Sequence, residues 1–298
     1  MLEFKKITLE DKTTIDRLLE GNTYRSSECC FSNLYGWSHK FNTSYVEWNN
    51  FLLVKFSVDD GRCSYLIPYG RGDLRPPIEA LMNDCGCTQK FMMSGVTERM
   101  WTNIEASMPG VFEKTPVRGG FDYIYTSKKL IHLKGKKLQS KRNHINRFKK
   151  ENNWEYQSLT DHPEYLERCR KMLRDWIDMN LESHDESLEL DYITTSTFLT
   201  QFNELDLRGG VILVDGRIAA FTLGRPLTED TFIVHTEKAF SNINGAYSII
   251  NQQFVEHEAS GFTYINREED MGYESLRKAK MSYQPDILLE KSILKLKQ

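Results

Sequence analysis

The feature that most restricts the fold of this 298-residue chain is an order of predicted elements that occurs twice. In each half a helical pattern is followed by an apolar hairpin, whose turn is Asp60-Gly61 in the first half and Asp215-Gly216 in the second. Asp-Gly between two apolar runs is typical of a tight β-hairpin. Motifs that repeat in the same order at nearly one spacing indicate two similar domains.

Helices and strands alternate after each hairpin, which predicts a mixed α/β architecture. The first half is predicted to continue with helix 76–85, strand 89–94, helix 97–107 and strand 111–125. The second half is predicted to continue with strand 230–237, helix 245–259, strand 261–266, helix 272–281 and strand 285–291. The predicted organisation is an N-terminal domain over 1–127, a basic inter-domain helix over 128–152 and a C-terminal domain over 153–298.

The segment 128–150 carries ten Lys and Arg residues, two His and no acid, in a chain whose formal net charge is −3. Leu138, Ile145 and Phe148 recur within it at helical spacing, which predicts a helix that buries one stripe and exposes its cations. A local field of this kind attracts phosphates of a nucleic acid, a nucleotide cofactor or an anionic lipid. A solvated linker helix has the same composition, so both interpretations remain open.

Several classes of protein are not indicated. The N-terminus lacks the apolar stretch of a signal peptide, and the longest apolar runs, such as 218–223, are too short to cross a bilayer. The six cysteines form no pair of CxxC clusters, so we expect no metal site and free thiols in a reducing cytoplasm. There is no G-x-S-x-G, no P-loop and no G-x-G-x-x-G motif.

Three motifs follow one another from residue 135 onward. In the first, residues 135–156, an Arg precedes an Asn-Arg pair and a strand follows. The second is Asn244-Gly245-Ala246, which follows a predicted strand. The third, residues 276–285, carries Lys, an aromatic residue and Pro at fixed spacing. Together they resemble the phosphatidylglycerol lysyltransferase C-terminal-domain family, which is distantly similar to the Fem-type aminoacyltransferases. Ser282 stands where those lysyltransferases usually carry a second Lys.

The resemblance implies a tandem GNAT-like (acyl-CoA N-acyltransferase) fold, of α/β (α+β) class with two mixed-sheet domains. It implies an acyl- or aminoacyltransferase whose polyanionic donor is aminoacyl-tRNA or acyl-CoA, with no tightly bound cofactor. The acceptor is an amine or a hydroxyl, and an anionic lipid is one candidate. The dense basic run favours tRNA. The alternative is a nucleic-acid-binding or structural protein on a catalytically idle GNAT scaffold.

Donor binding is assigned by this resemblance to the basic helix and to the start of the helix after strand 230–237. The candidate donor and phosphate ligands are Lys141, Arg142, Arg147, Asn244, Gly245, Ala246 and Lys280. Amides at a helix N-terminus favour anions, although an ordinary cap and turn also explains an Asn-Gly pair. The corresponding helix of the first half begins with Pro76-Pro77, which lack N–H donors, so that half is expected to be a degenerate scaffold.

Catalysis is assigned to the acidic loop after strand 261–266 and to the last helix. Glu269 is the first candidate for general base and Glu268 the second, and Tyr283 is a candidate proton donor to the leaving group. The candidate substrate contacts are His235, Glu237, Asn266 and Asp270. A solvated loop with Arg267 paired to an acid, a buried histidine and a core tyrosine explain the same residues without catalysis.

Overall fold

Two seven-stranded mixed sheets form the framework of the protein in the computed structural model. The structure describes residues 2–57, 62–86, 90–180 and 186–297, without the side chains of 186 and 187. The chain divides into two units. The first consists of Met1–Asp122, Glu269–Glu274 and Leu288–Gln298, and the second of Tyr123–Glu268 and Ser275–Ile287.

The sheet of the first unit has the order β1-β2-β3-β4-β5-β14-β6. Its strands are β1 (Lys5–Lys6), β2 (Ser44–Trp48), β3 (Phe51–Ser57), β4 (Cys63–Tyr65), β5 (Met92–Thr97), β6 (Phe112–Pro116) and β14 (Lys291–Leu296). The helices are α1 (Lys12–Leu19), α2 (Phe31–Gly36), α3 (Ser38–Phe41), α4 (Arg75–Cys85) and α5 (Glu98–Ser107). Among the residues that the structure describes, β4 and β5 pair in parallel, whereas the pairs β1–β2, β2–β3, β3–β4, β5–β14 and β14–β6 are antiparallel.

The sheet of the second unit has the order β13-β7-β12-β11-β10-β9-β8. Its strands are β7 (Asp122–Thr126), β8 (Trp154–Ser158), β9 (Arg208–Val214), β10 (Arg217–Pro226), β11 (Thr231–Ala239), β12 (Tyr264–Asn266) and β13 (Ile287–Leu289). The helices are α6 (Ser127–His132), α7 (Gln139–Glu151), α8 (Tyr165–Asn180), α9 (Glu186–Thr200), α10 (Ala246–Glu258) and α11 (Glu274–Met281). Here β11 and β12 are the parallel pair.

The two sheets follow the same plan. In each, antiparallel strands lead to one parallel pair, and a further antiparallel strand lies beyond that pair. The hairpin turn at Asp215 and Gly216 has positive φ at both residues (47° and 72°), as a type I′ turn requires. The corresponding turn at Asp60-Gly61 lies outside the described residues, but its flanking strands β3 and β4 are antiparallel as expected. The predicted mixed α/β class is therefore confirmed.

The strands beyond the parallel pairs are exchanged between the halves of the sequence. The predicted strand 111–125 is two strands, of which β6 belongs to the first sheet and β7 to the second. The predicted strand 285–291 is also two, with β13 in the second sheet and β14 in the first, between β5 and β6. The predicted boundaries at 127 and 152 describe contiguous domains, whereas each unit is discontinuous in the sequence, and the first unit contains segments from both ends of the chain.

The basic segment folds as two helices and not as the single predicted helix. Leu133 (φ 47°) and Gly135 (φ 95°) lie in left-handed conformations between α6 and α7, which ends the first helix. The predicted stripe is confirmed, because Leu138, Ile145 and Phe148 are at most 3% exposed. The lysines before and after these buried residues in the sequence, at 134, 136, 137, 149 and 150, are exposed.

Buried apolar strands and one fully packed helix make the core of the second unit. Residues Ile218–Leu223 of β10 form an apolar run with no residue more than 8% exposed, as expected for a central strand covered on both faces. Helix α10 buries most of its length, including Ile249, Ile250 and Phe254 at 0% exposure. No helix in the described part of the chain is both long and apolar enough to cross a membrane.

Candidate active site

A cavity of about 240 Å³ lies in the first unit, where β4 and β5 part. The two strands share one register pair, Tyr65↔Met93. Beyond that pair, Leu66 on one side and Ser94 and Gly95 on the other line the cavity. The apolar part of the wall also comprises Leu34, Trp37, Phe41, Phe56, Val117, Met271 and Ile293. The cavity therefore has the apolar lining that is typical of small-molecule sites.

A buried charged cluster forms one end of this cavity. Lys291 is 3% exposed, and its Nζ lies 2.9 Å from Glu28 Oε1, 2.9 Å from Asp122 Oδ1 and 3.7 Å from Glu269 Oε2. It also donates a hydrogen bond to Ser27 Oγ at 2.9 Å. Three carboxylates thus surround a single ammonium group beside the apolar part of the cavity wall.

Local backbone structure fixes these groups. Lys291 begins β14 and is in register with Thr97 of β5. Asp122, which is fully buried, accepts hydrogen bonds from the Ser27 amide at 2.8 Å and from Ser27 Oγ at 3.1 Å. Gly95 has φ +71°, and a Cβ there would lie 3.1 Å from Glu28 Oε1. The cluster is therefore held by two strands and by the turn before α2.

The charges of the cluster decide the protonation state of Lys291. Burial alone would lower its pKa, but Asp122, Glu28 and Glu269 outweigh that effect and hold the pKa well above its ordinary value. A protonated Lys291 cannot remove a proton from Ser27, so a serine–lysine nucleophile is disfavoured. Glu269 is about one-third exposed and lines the cavity, where it can reach a ligand. The first candidate base from the sequence therefore lies in this site.

The second unit has a polar cluster at its own parallel strand pair. The register of β11 and β12 ends at Ile233↔Asn266, while β11 continues to Ala239. Beyond that point His235 Nδ1 lies 2.8 Å from Glu268 Oε1. Burial, together with the charge of Arg225, lowers the pKa of His235 to about 3, so the ring is neutral and Nδ1–H donates to the carboxylate. Glu268 has φ 57°, a conformation that is strained for a non-glycine residue.

Arg267 is the centre of this second cluster. Its Nη2 donates to Glu237 Oε1 at 3.1 Å, and Glu237 Oε2 accepts a hydrogen bond from Asn251 at 3.0 Å. The guanidinium lies 4.9 Å from the ring centre of Tyr283, and Lys141 Nζ lies 4.2 Å from the same ring. Burial, with a contribution from Arg267, lowers the pKa of Lys141. Lys141, Glu237 and Tyr283 are thus brought together, with Tyr283 buried as a core residue would be.

The predicted anion seat at the start of α10 lies against α7, with Asn244 exposed and Ala246 buried. A Cβ on Gly245 would lie 2.6 Å from the His144 carbonyl of α7, so the two helices approach closely at this glycine. The Ala246 amide donates to the Ile243 carbonyl at 3.1 Å, and Asn244 Oδ1 lies 3.2 Å from His144 Nδ1. Asn244 and Gly245 are therefore engaged in the contact with α7, and the Ala246 amide is used within the turn before α10.

The other candidate donor ligands have local partners. Arg142 donates to the carbonyls of Leu133 and Gly135, at the end of α6. Arg147 forms an exposed pair with Glu151 at 2.9 Å, one turn along the same helix. Lys280 Nζ donates to the Arg267 carbonyl at 2.6 Å.

Two candidate substrate contacts have structural roles. Asn266, fully buried, accepts a hydrogen bond from the Glu268 amide at 2.7 Å and so shapes the turn after β12. Asp270, also fully buried, pairs with Arg118 at 3.0 Å and accepts the Gly272 amide at 2.9 Å. Both therefore fix backbone near the acidic loop.

Sequence reasoning did not identify Ser27, Glu28, Asp122 or Lys291. A signal was present for one of them, because Asp122 is the single charge in the apolar run 121–125, whereas Lys291 stands next to Glu290 and shares its strand with Lys295. Charged residues are rarely buried unless they are paired, so a lone charge in an apolar run indicates a partner elsewhere in the fold. Ser27 and Glu28 precede α2 in an irregular segment, and no pattern distinguishes them from loop residues.

Two mixed sheets, each with a parallel pair that parts beside a polar cluster, define the tandem GNAT-like class of acyltransferase-like domains. A family model described as phosphatidylglycerol lysyltransferase, C-terminal, matches residues 22–295. The chain belongs to this family, and the resemblance predicted from the sequence is confirmed.

Similar proteins agree with this assignment. A solved structure of a conserved protein of unknown function from Bacteroides thetaiotaomicron VPI-5482 is 39% identical, covers 100% of both chains and has a TM-score of 0.92. The structure of L-PGS from Bacillus licheniformis is 15% identical, covers 96% of this chain and 91% of that chain, and has a TM-score of 0.65, which shows a shared fold.

An uncharacterized protein of Mycoplasmoides gallisepticum is 26% identical over 176 residues. The match covers 58% of this chain and 56% of that protein, so the chain matches little more than half the length of this curated relative.

Proposed function

We propose that the protein transfers an aminoacyl group from an aminoacyl ester, with the cavity of the first unit as its reaction site. The observation that carries this proposal is the cluster of Glu28, Asp122 and Glu269 around the single ammonium of Lys291. Carboxylates that outnumber the cations near them attract a further cation, and they do so more strongly where water is largely excluded. An aminoacyl group supplies that cation as its α-ammonium.

The apolar wall and the acidic end together describe the ligand. An amino acid esterified through its carboxyl group has an ammonium and a side chain but no free carboxylate, so it would not be repelled by Glu28 or Glu269. A plain acyl group would fill the apolar wall and leave the acidic end without a partner. The cavity therefore favours an aminoacyl donor over an acyl-CoA.

The proposed reaction needs one proton acceptor. The hydroxyl or amine of the acceptor attacks the ester carbonyl, its proton passes to Glu269, the new acyl bond forms and the ester C–O bond breaks. The leaving oxygen of the donor then takes the proton from Glu269 and becomes a hydroxyl, which restores the carboxylate. No covalent intermediate on the protein is required, which agrees with a Ser27 that stands beside a protonated lysine.

Aminoacyl-tRNA is the donor that we propose, and the hydroxyl of an anionic lipid is the acceptor. The exposed cations of α7 suit a polyanion. At the start of α10 the His144 carbonyl lies close to Gly245 and the Ala246 amide is already bonded to Ile243, which gives no support to a CoA pyrophosphate seat in the second unit. The lipid acceptor follows the description of the family, which names phosphatidylglycerol.

The experiment supplies tRNA charged with a mixture of labelled amino acids to the full chain and to phosphatidylglycerol vesicles, and measures label in the extracted lipid. We expect transfer by the natural sequence and a loss of about 10²- to 10⁴-fold in Glu269→Gln, the range that a general base contributes. Glu290→Gln is the matched control, since Glu290 is exposed and precedes Lys291 in the sequence.

Two results would refute the proposal. One is equal transfer by Glu269→Gln and Glu290→Gln. The other is no transfer from any aminoacyl-tRNA while labelled acetyl-CoA is consumed in the presence of an amine. Binding of tRNA without any transfer would instead favour the catalytically idle scaffold.

A further inference from the structure

A second and larger cavity of the first unit is polar and positively charged. It has a volume of about 780 Å³ and is lined by Arg17, Arg71 and Arg99 against the single acid Glu20. We call it the arginine groove, and its other borders are the segment 21–24 and the loop 68–72. Three arginines around one groove are a typical arrangement for phosphate recognition.

The three arginines differ in how far they are already engaged. Arg17 donates to Glu47 at 2.7 Å, and the Arg99 guanidinium lies 5.6 Å from the ring centre of Tyr24. Arg71 is exposed and makes neither a hydrogen bond nor an ion pair with any residue that the structure describes. Arg71 is therefore the cation that is best placed to bind an anion without losing an existing contact.

Glycines on both sides fix the position of Arg71. A Cβ on Gly70 would lie 2.5 Å from the Phe51 ring and 2.8 Å from the Asn50 carbonyl, and Gly72 has φ +129°. The loop thus packs tightly on the end of β3, which restricts the backbone that carries the guanidinium. Side chains take the role that helix amides have in other anion sites, since the first turn of α4 contains two prolines, which have no N–H.

Aromatic and amide groups in the groove favour a nucleotide over a phospholipid headgroup. The partly exposed ring of Tyr24 is held by a hydrogen bond of 2.7 Å from Asn103 to its hydroxyl. Aromatic rings and arginine planes are the surfaces on which unpaired bases stack, and amide side chains bind base edges. Asn50 and Asn103 both line the groove.

Two chain segments connect the arginine groove to the cavity around Lys291. Tyr24 lines the groove and Glu28 lines the cavity, four residues further on. Leu66 lines the cavity and Pro68 lines the groove, two residues further on. Four extended residues span at most about 13–14 Å. A nucleotide with an aminoacyl ester is a ligand that carries both a phosphate and an ammonium over a short distance.

We infer that the arginine groove binds the phosphate and base of a nucleotide at the single-stranded end of an RNA, with Arg71 as its main phosphate ligand. This inference rests on the proposed function for the identity of the strand, and it contradicts the expectation that the first half is only a scaffold. It adds a binding site to the half whose helix start lacks amide donors.

The test measures binding of a 5′-fluorescein-labelled RNA tetranucleotide by fluorescence anisotropy, as a function of salt. We expect Arg71→Gln to weaken binding by about 10- to 100-fold, the equivalent of one charge-assisted hydrogen bond. We also expect the slope of log K against log salt to fall by about 0.7, as for one phosphate contact on a single strand. Arg217→Gln, which changes an exposed arginine of the second unit, should bind as the natural sequence does.

Equal RNA affinity in Arg71→Gln and Arg217→Gln would overturn the inference. It would also fail if Arg71→Gln lost binding to phosphatidylglycerol vesicles and kept binding to the RNA, which would assign the groove to a lipid headgroup. Circular dichroism melting of both variants verifies that they are folded, as expected for exposed side chains.

Glu269→Gln separates this inference from the proposed function. The variant should lose transfer and keep the affinity for uncharged RNA, because binding of that RNA needs no catalysis. If the natural sequence transfers nothing but binds RNA through Arg71, the groove stands and the transferase fails. If transfer proceeds with an unchanged KM in Arg71→Gln, only the groove is wrong.

Discussion

Replacement of Lys291 by methionine is expected to destabilise the first unit more than any exchange of an exposed lysine. The side chain is 3% exposed and contacts Asp122 and Glu28 at 2.9 Å each. Without it, carboxylates that are buried or half-buried face one another. Removal of one partner from a buried ion pair costs about 3–5 kcal/mol. The matched control is Lys295→Met on the same strand, where the lysine is exposed and a loss of at most about 1 kcal/mol is expected.

The dependence on pH gives the prediction its sign. The pKa of Lys291 is raised in the folded state, so its contribution is present below the ordinary lysine pKa of 10.5 and is lost as the pH rises beyond that value. In Lys291→Met the unpaired carboxylates should instead take up protons as the pH falls. The difference between Lys291→Met and the natural sequence should therefore shrink from pH 7 towards pH 4.

Urea unfolding followed by circular dichroism at several pH values measures both effects. A free energy of unfolding for Lys291→Met equal to that of Lys295→Met at pH 7 would show that the cluster contributes no net stability. A difference that grows on acidification would show that the carboxylates are not the cause. Either result would refute the reasoning from burial and charge.

Gly245→Ala should lower the free energy of unfolding by more than Gly86→Ala, because both glycines have a left-handed backbone (φ 88°, ψ −3° and φ 66°, ψ −6°) but only a Cβ at Gly245 meets a neighbour, at 2.6 Å; urea titration measures both. The strain that they share is about 1 kcal/mol. Arg142→Gln should cost about 1–3 kcal/mol in the same assay because it leaves carbonyls unpaired, whereas Arg147→Gln should cost at most about 0.5. The pKa of His235 is lowered to about 3 in the folded protein, so the unfolded chain binds a proton more readily and the free energy of unfolding falls as the pH falls from 6.5 towards 3. His235→Asn should flatten that part of the plot of unfolding free energy against pH.

Local patterns predicted most individual elements of the fold. Periodicity and turn chemistry act over a few residues. They predicted the apolar stripe of the basic segment, the turn at Asp215-Gly216 and, in each half, the helix that follows the hairpin. The division of strands 111–125 and 285–291 could not be predicted in the same way. Each is predicted as one strand, and only the pairing partners, more than 130 residues away, decide which sheet each piece joins.

The candidate site was predictable only in part. Glu269 was selected because it follows a strand at the edge where sites gather, and it does line a cavity. That cavity belongs to the first unit, since residues 269–274 depart from the unit that contains the strand before them. Ser27 and Asp122 are 95 positions apart, and no spacing in the sequence relates them. Long-range charge pairing of this kind becomes visible only once the strands have been placed.

The placement of β14 has a consequence for how the chain is made. In the first sheet β14 lies between β5 and β6, but it is synthesised more than 170 residues after β6, so the edges of β5 and β6 that pair with it stay open until then. Unpaired strand edges invite association with other chains, and pairing over such a separation is slow. A fragment that stops near residue 127 would therefore be expected to aggregate, and neither half should be obtainable as an independent folded piece.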